Sequence, residues 1–146
     1  MKPAPGENSV GRVAIDFEVA NNEDVVLARA GAISADKIRR LTLKGVADSG
    51  ATRFVLPEKI VKQLGLTISE KVKVLYADGR GATRPVALGA EVTILGRKDT
   101  FSAIVEPGRK TALIGAIVLE DLDLLVDCAR NRLVPRDPRF IISEIE

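Results

Sequence analysis

Apolar and polar positions alternate through much of this chain, the period expected of strands with one buried face. Val13, Ile15 and Phe17 alternate with Ala14, Asp16 and Glu18, which predicts a strand from Val10 to Ala20 closed by Asn21-Asn22-Glu23-Asp24. Leu41 and Leu43 alternate with Thr42 and Lys44. That predicts a second strand over Arg40 to Val46, running directly into Asp48. The stretch from Asp24 to Ile38 has no clear period. Within it, Ser34-Ala35-Asp36-Lys37 has the composition of a capped helical turn.

Beyond Asp48-Ser49-Gly50, Ala51 to Leu56 reads as an apolar strand ended by Pro57. Proline suits a first helical position, Ile60, Val61 and Leu64 share one face, and Gly65 supplies a stop, so a short helix is expected there. Val72 to Ala77 and Thr83 to Leu88 flank Asp78-Gly79, a hairpin turn signal. A further hairpin pairs Val92 and Ile94 with Phe101, Ala103 and Val105 around a turn at Gly96-Arg97-Lys98-Asp99. After a turn at Pro107-Gly108-Arg109-Lys110 come a short strand, Thr111 to Gly115, and two turns of helix, Ala116 to Leu122. Leu124 to Val126 and Arg132 to Val134 are the last core strands. Residues 1–9 read as a flexible tail. Phe140-Ile141-Ile142 is an apolar segment beyond Pro135 and Pro138, and it needs a partner.

The expected fold is therefore mostly β with one or two short helices. Composition narrows the function. With 46% hydrophobic but only 3% aromatic residues, the core must be built from Val, Ile, Leu and Ala, which favours strands. The 22 basic and 20 acidic residues give a net charge of +2 without any single-sign block. Nucleic acid is not an expected partner, since phosphate binding needs a basic patch and stacking aromatics. No run approaches the ~18 apolar residues of a membrane span, and the start of the chain carries no apolar leader. No membrane partner and a cytoplasmic location are expected. Cys128 is the sole cysteine and there is no histidine, so neither an intrachain disulfide nor a zinc site is expected. Glu120, Asp121, Asp123 and Asp127 are read as solvated or turn-capping carboxylates. No cofactor or metal is expected.

A chain without histidine must carry out hydrolytic acid–base chemistry with other groups, and Asp48 is the candidate. A pair of carboxylates sharing one proton offers both an ionised base for water and a protonated acid for the leaving group. Asp-Ser-Gly occurs once; Asp99-Thr100 comes closest, but Phe101 ends the match. By itself the tripeptide is also an ordinary turn. Its surroundings are more specific. Val46-Ala47-Asp48-Ser49-Gly50-Ala51-Thr52, the strand and helix that follow, the Asp78-Gly79 hairpin, and Leu113-Ile114-Gly115 before a short helix together resemble the retropepsin-like aspartic proteases over roughly residues 40 to 136, in a bacterial-type single-domain form.

The resemblance implies a single-lobe acid-protease closed β-barrel over residues 10–136. It implies Asp48 as the catalytic carboxylate, Ser49, Gly50 and Gly115 as supports of its loop, and Ala51, Thr52, Tyr76, Asp78 and Gly79 as substrate-binding, with Tyr76 to Thr83 as a flap. With one triad per chain, the second Asp48 must come from a second copy. A homodimer acting on a peptide or protein substrate is implied, and residues 137–146, with Phe140 to Ile142, are a candidate intersubunit strand. The activity implied is that of an aspartic endopeptidase, and the alternative is a catalytically silent dimerisation or peptide-binding module of the same fold. Two residues depart from the retroviral pattern: Thr52 stands where an acidic residue is usual and Ala116 where a basic one is. A carboxylate locked in a salt link to Lys or Arg could not share a proton with its twin, so the surroundings of Asp48 decide the chemistry.

Overall fold

The computed structural model describes residues 11–146; the expected N-terminal tail over residues 1–9 lies outside them. β1 (Arg12–Asn21) and β2 (Arg40–Asp48) pair antiparallel along their length, Arg12 opposite Asp48 and Ala20 opposite Arg40. β2 pairs in parallel with β7 (Ala112–Ile114), which touches β3 (Val55–Pro57) antiparallel; β3 runs parallel to β6 (Arg97–Glu106). β6 pairs with β5 (Gly81–Ile94), and the upper half of β5 returns to β1, Glu18 opposite Thr93. Six strands thus close a barrel, and closure removes the unpaired edges that an open sheet would expose. β4 (Thr67–Leu75) adds to β5 outside the ring, and β8 (Leu124–Asp127) and β9 (Arg132–Pro135) form a separate hairpin.

The fold is mostly β, with the closed barrel expected. Among the described residues there are three short helices where one or two were expected: α1 (Asn22–Arg29), α2 (Glu58–Leu64) and α3 (Ala116–Asp121), besides a 3-10 turn at Ala35–Lys37. The alternating residues Val13, Phe17 and Val19 all turn into the core. Phe17, Phe54 and Phe101 stack edge to face in series, with centroids 6.3 and 6.5 Å apart, so the few aromatics are concentrated where they fill most volume. Gly45 leaves room for this series, since a Cβ there would lie 2.8 Å from the Phe17 ring.

Several boundaries differ from expectation. The strand expected over Ala51 to Leu56 forms only as Val55–Pro57, because the Ala51 and Thr52 carbonyls accept from the first amides of α3 instead of a neighbouring strand. Pro57 is the N-cap of α2 and not its first helical residue. Gly65 ends that helix in the left-handed region, φ 63°, as expected. β4 begins at Thr67, five residues before the expected start. β5 is one continuous strand through Gly89, whose positive φ accommodates a register shift between Ala87 and Ala90. The turn from β5 to β6 is Leu95-Gly96, both at positive φ, and Arg97 to Asp99 already lie in β6 paired with Ile94 to Val92. Two residues at positive φ form the turn that matches strand twist, and this outweighs the polar composition of the next three.

The unread segment is α1 and its tether. Asn21 is 1% exposed; its Oδ1 accepts the Asp24 N–H and its Nδ2 donates to the Leu64 and Gly65 carbonyls. It therefore caps α1 and ties it to the end of α2. The Asp24 carboxylate accepts from the Arg39 backbone N–H, Nε and NH2, and the Arg39 hydrogen bonds hold it below its ordinary value. β1 spans ten residues, so α1 lies roughly 30 Å along the strand from the Arg12 end that faces Asp48. Asn21→Ala removes a cap and takes the donor from the buried Leu64 carbonyl and the partly buried Gly65 carbonyl. It should destabilise the protein by ~2–3 kcal/mol, read as a lower denaturant midpoint at unchanged m-value; no change would show that these bonds are replaced by water.

Candidate active site

Asp48 is the last residue of β2, and Ser49 and Gly50 turn the chain away from the barrel. The turn is held locally: Gly50 N–H donates to Asp48 Oδ1 at 2.9 Å and Ala51 N–H to the Asp48 carbonyl at 3.1 Å. It is also held from outside. Ser49 N–H donates to the Gly11 carbonyl at 2.9 Å, and Gly11 N–H in turn points at Cys128 Sγ, 3.0 Å away. Gly11 has φ 76°, and a Cβ on it would lie 2.8 Å from Ser49 Oγ. Asp48 keeps a side chain 21% exposed, while Ser49 and Gly50 are exposed.

Behind the turn lies the start of α3. Ala116 N–H donates to the Ala51 carbonyl at 2.7 Å and Ile117 N–H to the Thr52 carbonyl at 3.1 Å. First-turn amides have no partner within their own helix, so these two are free to carry the loop. Gly115 makes the approach close enough: a Cβ on it would lie 2.6 Å from the Arg53 carbonyl oxygen and the Thr52 carbonyl carbon. The two unusual residues, Thr52 and Ala116, each take part in these main-chain hydrogen bonds, Thr52 with Ile117 and Ala116 with Ala51, and neither bond requires an acidic or a basic side chain.

The second oxygen of Asp48 has a cationic neighbour that the sequence reading missed. Arg12 Nε lies 3.2 Å from Oδ2, a placement that follows from the β1–β2 register, with Arg12 directly opposite Asp48. Their separation meets an ion-pair distance, yet the Arg12 Nε–H is a buried donor without a hydrogen-bond acceptor. The geometry is a charge contact and not an aligned bidentate pair, which needs parallel N–H···O bonds. Arg12 is a third exposed.

Tyr76, Asp78 and Gly79 belong to the connection between β4 and β5. Tyr76 N–H donates to the Arg80 carbonyl and Gly79 N–H to the Tyr76 carbonyl, with Gly79 at φ 88°. The Asp78 carboxylate accepts from the Arg80 N–H and Nε, and the Arg80 main-chain bond, then its side chain, lowers the Asp78 pKa. Asp78 is engaged within its own turn. Tyr76 points to the other side: its hydroxyl donates to Glu106 at 2.5 Å and accepts from Arg84 Nε at 3.1 Å, while Arg84 also pairs with Glu106. The Arg80 guanidinium sits 5.2 Å above the Tyr76 ring. These residues, with Arg109, line a cavity of about 320 Å³.

Phe140 to Ile142 form no strand in the single chain. Asp137 turns the chain by accepting from the Arg139 N–H, Nε and NH2, and Phe140, at φ 64°, is 71% exposed. Asp123 is ion-paired with Arg136 and Asp127 with Arg130 and Arg132. No helix of the described residues is long and apolar enough to cross a membrane.

No protein-family model matches the chain, and no curated protein matches it. Solved structures similar to it include the protease of EIAV in complex with an inhibitor, at 19% identity and a TM-score of 0.46 over 56% of this chain and 77% of that one. A foamy viral protease-reverse transcriptase bound to an RNA/DNA hybrid is 19% identical with a TM-score of 0.44, over 53% of this chain and 10% of that one. The protease of simian foamy virus (mac) is 20% identical with a TM-score of 0.42, over 53% of this chain and 80% of that one. The chain's structural neighbours are thus retroviral and foamy viral proteases at low sequence identity.

Proposed function

We propose that this protein is an aspartic endopeptidase of the retropepsin-like kind, in single-domain form over residues 10–136, which completes its site by pairing two copies of Asp48 across a homodimer axis in the cytosol. The observation that carries this reading is the way Asp48 is presented: at a strand end, partly exposed, on a turn braced from behind by Gly115 and the first amides of α3. An ordinary Asx turn has no need of such bracing. A single cysteine, unable to form an intrachain disulfide, fits a reducing compartment.

In the proposed dyad, two carboxylates ~3 Å apart would repel by roughly 5.5 kcal/mol at an effective dielectric of ~20, about four pKa units. One proton is therefore retained between them, and the pair titrates as a unit. The ionised partner removes a proton from water, whose oxygen adds to the scissile carbonyl carbon. The protonated partner gives its proton to the carbonyl oxygen, and the C–N bond then breaks as a proton passes to the leaving nitrogen. Ser49 braces the two loops across the axis, Gly50, Ala51 and Thr52 leave the substrate backbone room to approach, and the Tyr76 to Thr83 hairpin closes over it. Residues 137–146, with Phe140 and Ile142 exposed, supply the intersubunit strand. Arg12 must leave Oδ2 for the dyad to form.

That last requirement favours a second reading, a silent dimerisation or peptide-binding module, because a guanidinium 3.2 Å from Oδ2 competes with the symmetry-related carboxylate. Solution mass and digestion of a peptide library in the mildly acidic range separate the two. The peptidase reading expects the mass of two 15.7 kDa chains, cleaved products, and inhibition by a statine-type transition-state mimic. A dimer that binds peptides but yields no products at any pH leaves the silent module standing.

A further inference from the structure

The cavity between the β4–β5 hairpin and the β6–β7 connection holds more positive charge than its own carboxylates neutralise. Arg84 is paired with Glu106 and with the Tyr76 hydroxyl. Arg80 is paired with Asp78 and covers the Tyr76 ring. Arg109 is different. Its Nε donates to the Thr111 carbonyl at 2.7 Å, and among the described residues no carboxylate lies within ion-pair distance of it and its terminal nitrogens carry no hydrogen bond. Burial, and secondly the charge of Arg12, hold its pKa below the ordinary guanidinium range, with Glu106 opposing. A partly buried guanidinium whose nearest carboxylate, Glu106, is already paired with Arg84 is costly, and its loop uses only the Nε–H.

The cavity lies between the hairpin assigned as the flap and the connection into β7, the strand that runs into Gly115 behind the Asp48 turn. Its volume of about 320 Å³ suits one polar side chain or a chain terminus. A carboxylate entering it would meet the unused fork of Arg109, where two parallel N–H···O bonds can form. We propose that this cavity is a subsite for a carboxylate of the bound peptide, with Arg109 as its recognition group. The proposal rests on the peptide-binding part of the reading above, and extends it to a preference for acidic substrates.

The test uses binding to the Asp48→Asn protein, so that turnover plays no part. Fluorescein-labelled ten-residue peptides are scanned with Glu or Gln at each position, each made as free acid and as amide, and read by anisotropy. At one position Glu should bind about tenfold more tightly than Gln, the lower range for a hydrogen bond to a charged group. Arg109→Gln should reduce that ratio to below about twofold, and Arg109→Lys, which keeps the charge without the fork, should retain part of it. Thermal melts show whether either variant is folded, and the folded one decides. A flat scan with a tenfold preference for free acid over amide assigns the subsite to the C-terminal carboxylate. Equal binding throughout, a Glu preference that survives Arg109→Gln, or no peptide binding overturns the proposal. Cleavage of Glu and Gln peptides alike by the wild type overturns the subsite alone. An Arg109-dependent preference in a protein that cleaves nothing overturns the peptidase reading alone.

Discussion

Asp48→Asn should reduce kcat/KM for peptide cleavage by at least about a thousandfold, the upper range for loss of general acid–base catalysis, while leaving dimer mass and melting temperature near those of the wild type. The substitution is close to isosteric, and the asparagine oxygen can still accept the Gly50 N–H now held by Oδ1 at 2.9 Å. What is lost is the ability to ionise and to carry a shared proton. Stability has little to lose, because the Arg12 contact is partly exposed and lacks an aligned hydrogen bond, and such pairs contribute only ~0–1 kcal/mol. Product formation by mass spectrometry, beside a thermal melt of the same sample, makes the comparison. Equal cleavage by the Asn protein would place the chemistry elsewhere. Lost cleavage with a collapsed melt would show Asp48 to be structural.

Gly115→Ala should be the most damaging small substitution near the site. Its φ of −90° is open to any residue, so the cost is one of space. The added methyl would lie 2.6 Å from the Arg53 carbonyl oxygen and 2.7 Å from that of Thr52, and both neighbours are main chain that cannot swing away. Either α3 or the 51–53 loop must retreat, breaking the Ala116-to-Ala51 and Ile117-to-Thr52 hydrogen bonds. Overpacking of this kind costs ~3 kcal/mol, a fall of roughly 10 °C in Tm for a domain of this length. Activity should fall further than stability, since the retreat displaces the turn that presents Asp48. Hydrogen exchange at Ala116 and Ile117 reads the loss of those bonds directly; unchanged protection and an unchanged Tm would mean that the approach is less close than the geometry shows.

Much of the barrel was legible in the chain because a strand buried on one face writes its period into the sequence. Val13, Phe17 and Val19 on β1 and Leu43 on β2 fall on the buried face as the alternation requires. The Gly65 stop and the two-turn helix after Gly115 were equally visible, each marked by a residue with a local physical reason. Boundaries failed where the deciding partner was distant. Residues 51 to 54 have strand composition, yet the Ala51 and Thr52 carbonyls are taken by the first amides of α3. α1 was unread because its amphipathic pattern is weak. Its N-cap Asn21 was the available signal: an Asx residue three positions before Asp24, read only as the end of a strand.

By itself the sequence determined that the chain is mostly β, that its one Asp-Ser-Gly turn follows a strand, and that this turn offers a carboxylate for acid–base chemistry in a chain without histidine, because period, turn chemistry and composition are read directly along the chain. Only the tertiary structure decided what surrounds Asp48. The pairing of β1 with β2 sets Arg12 against it, the close approach of Gly115 brings α3 behind it, and the convergence of two connections leaves Arg109 uncompensated in a cavity. These are contacts between residues 36 to 65 positions apart or meetings of separate loops. Their existence depends on strand register and on space, and neither is written in any short stretch of chain.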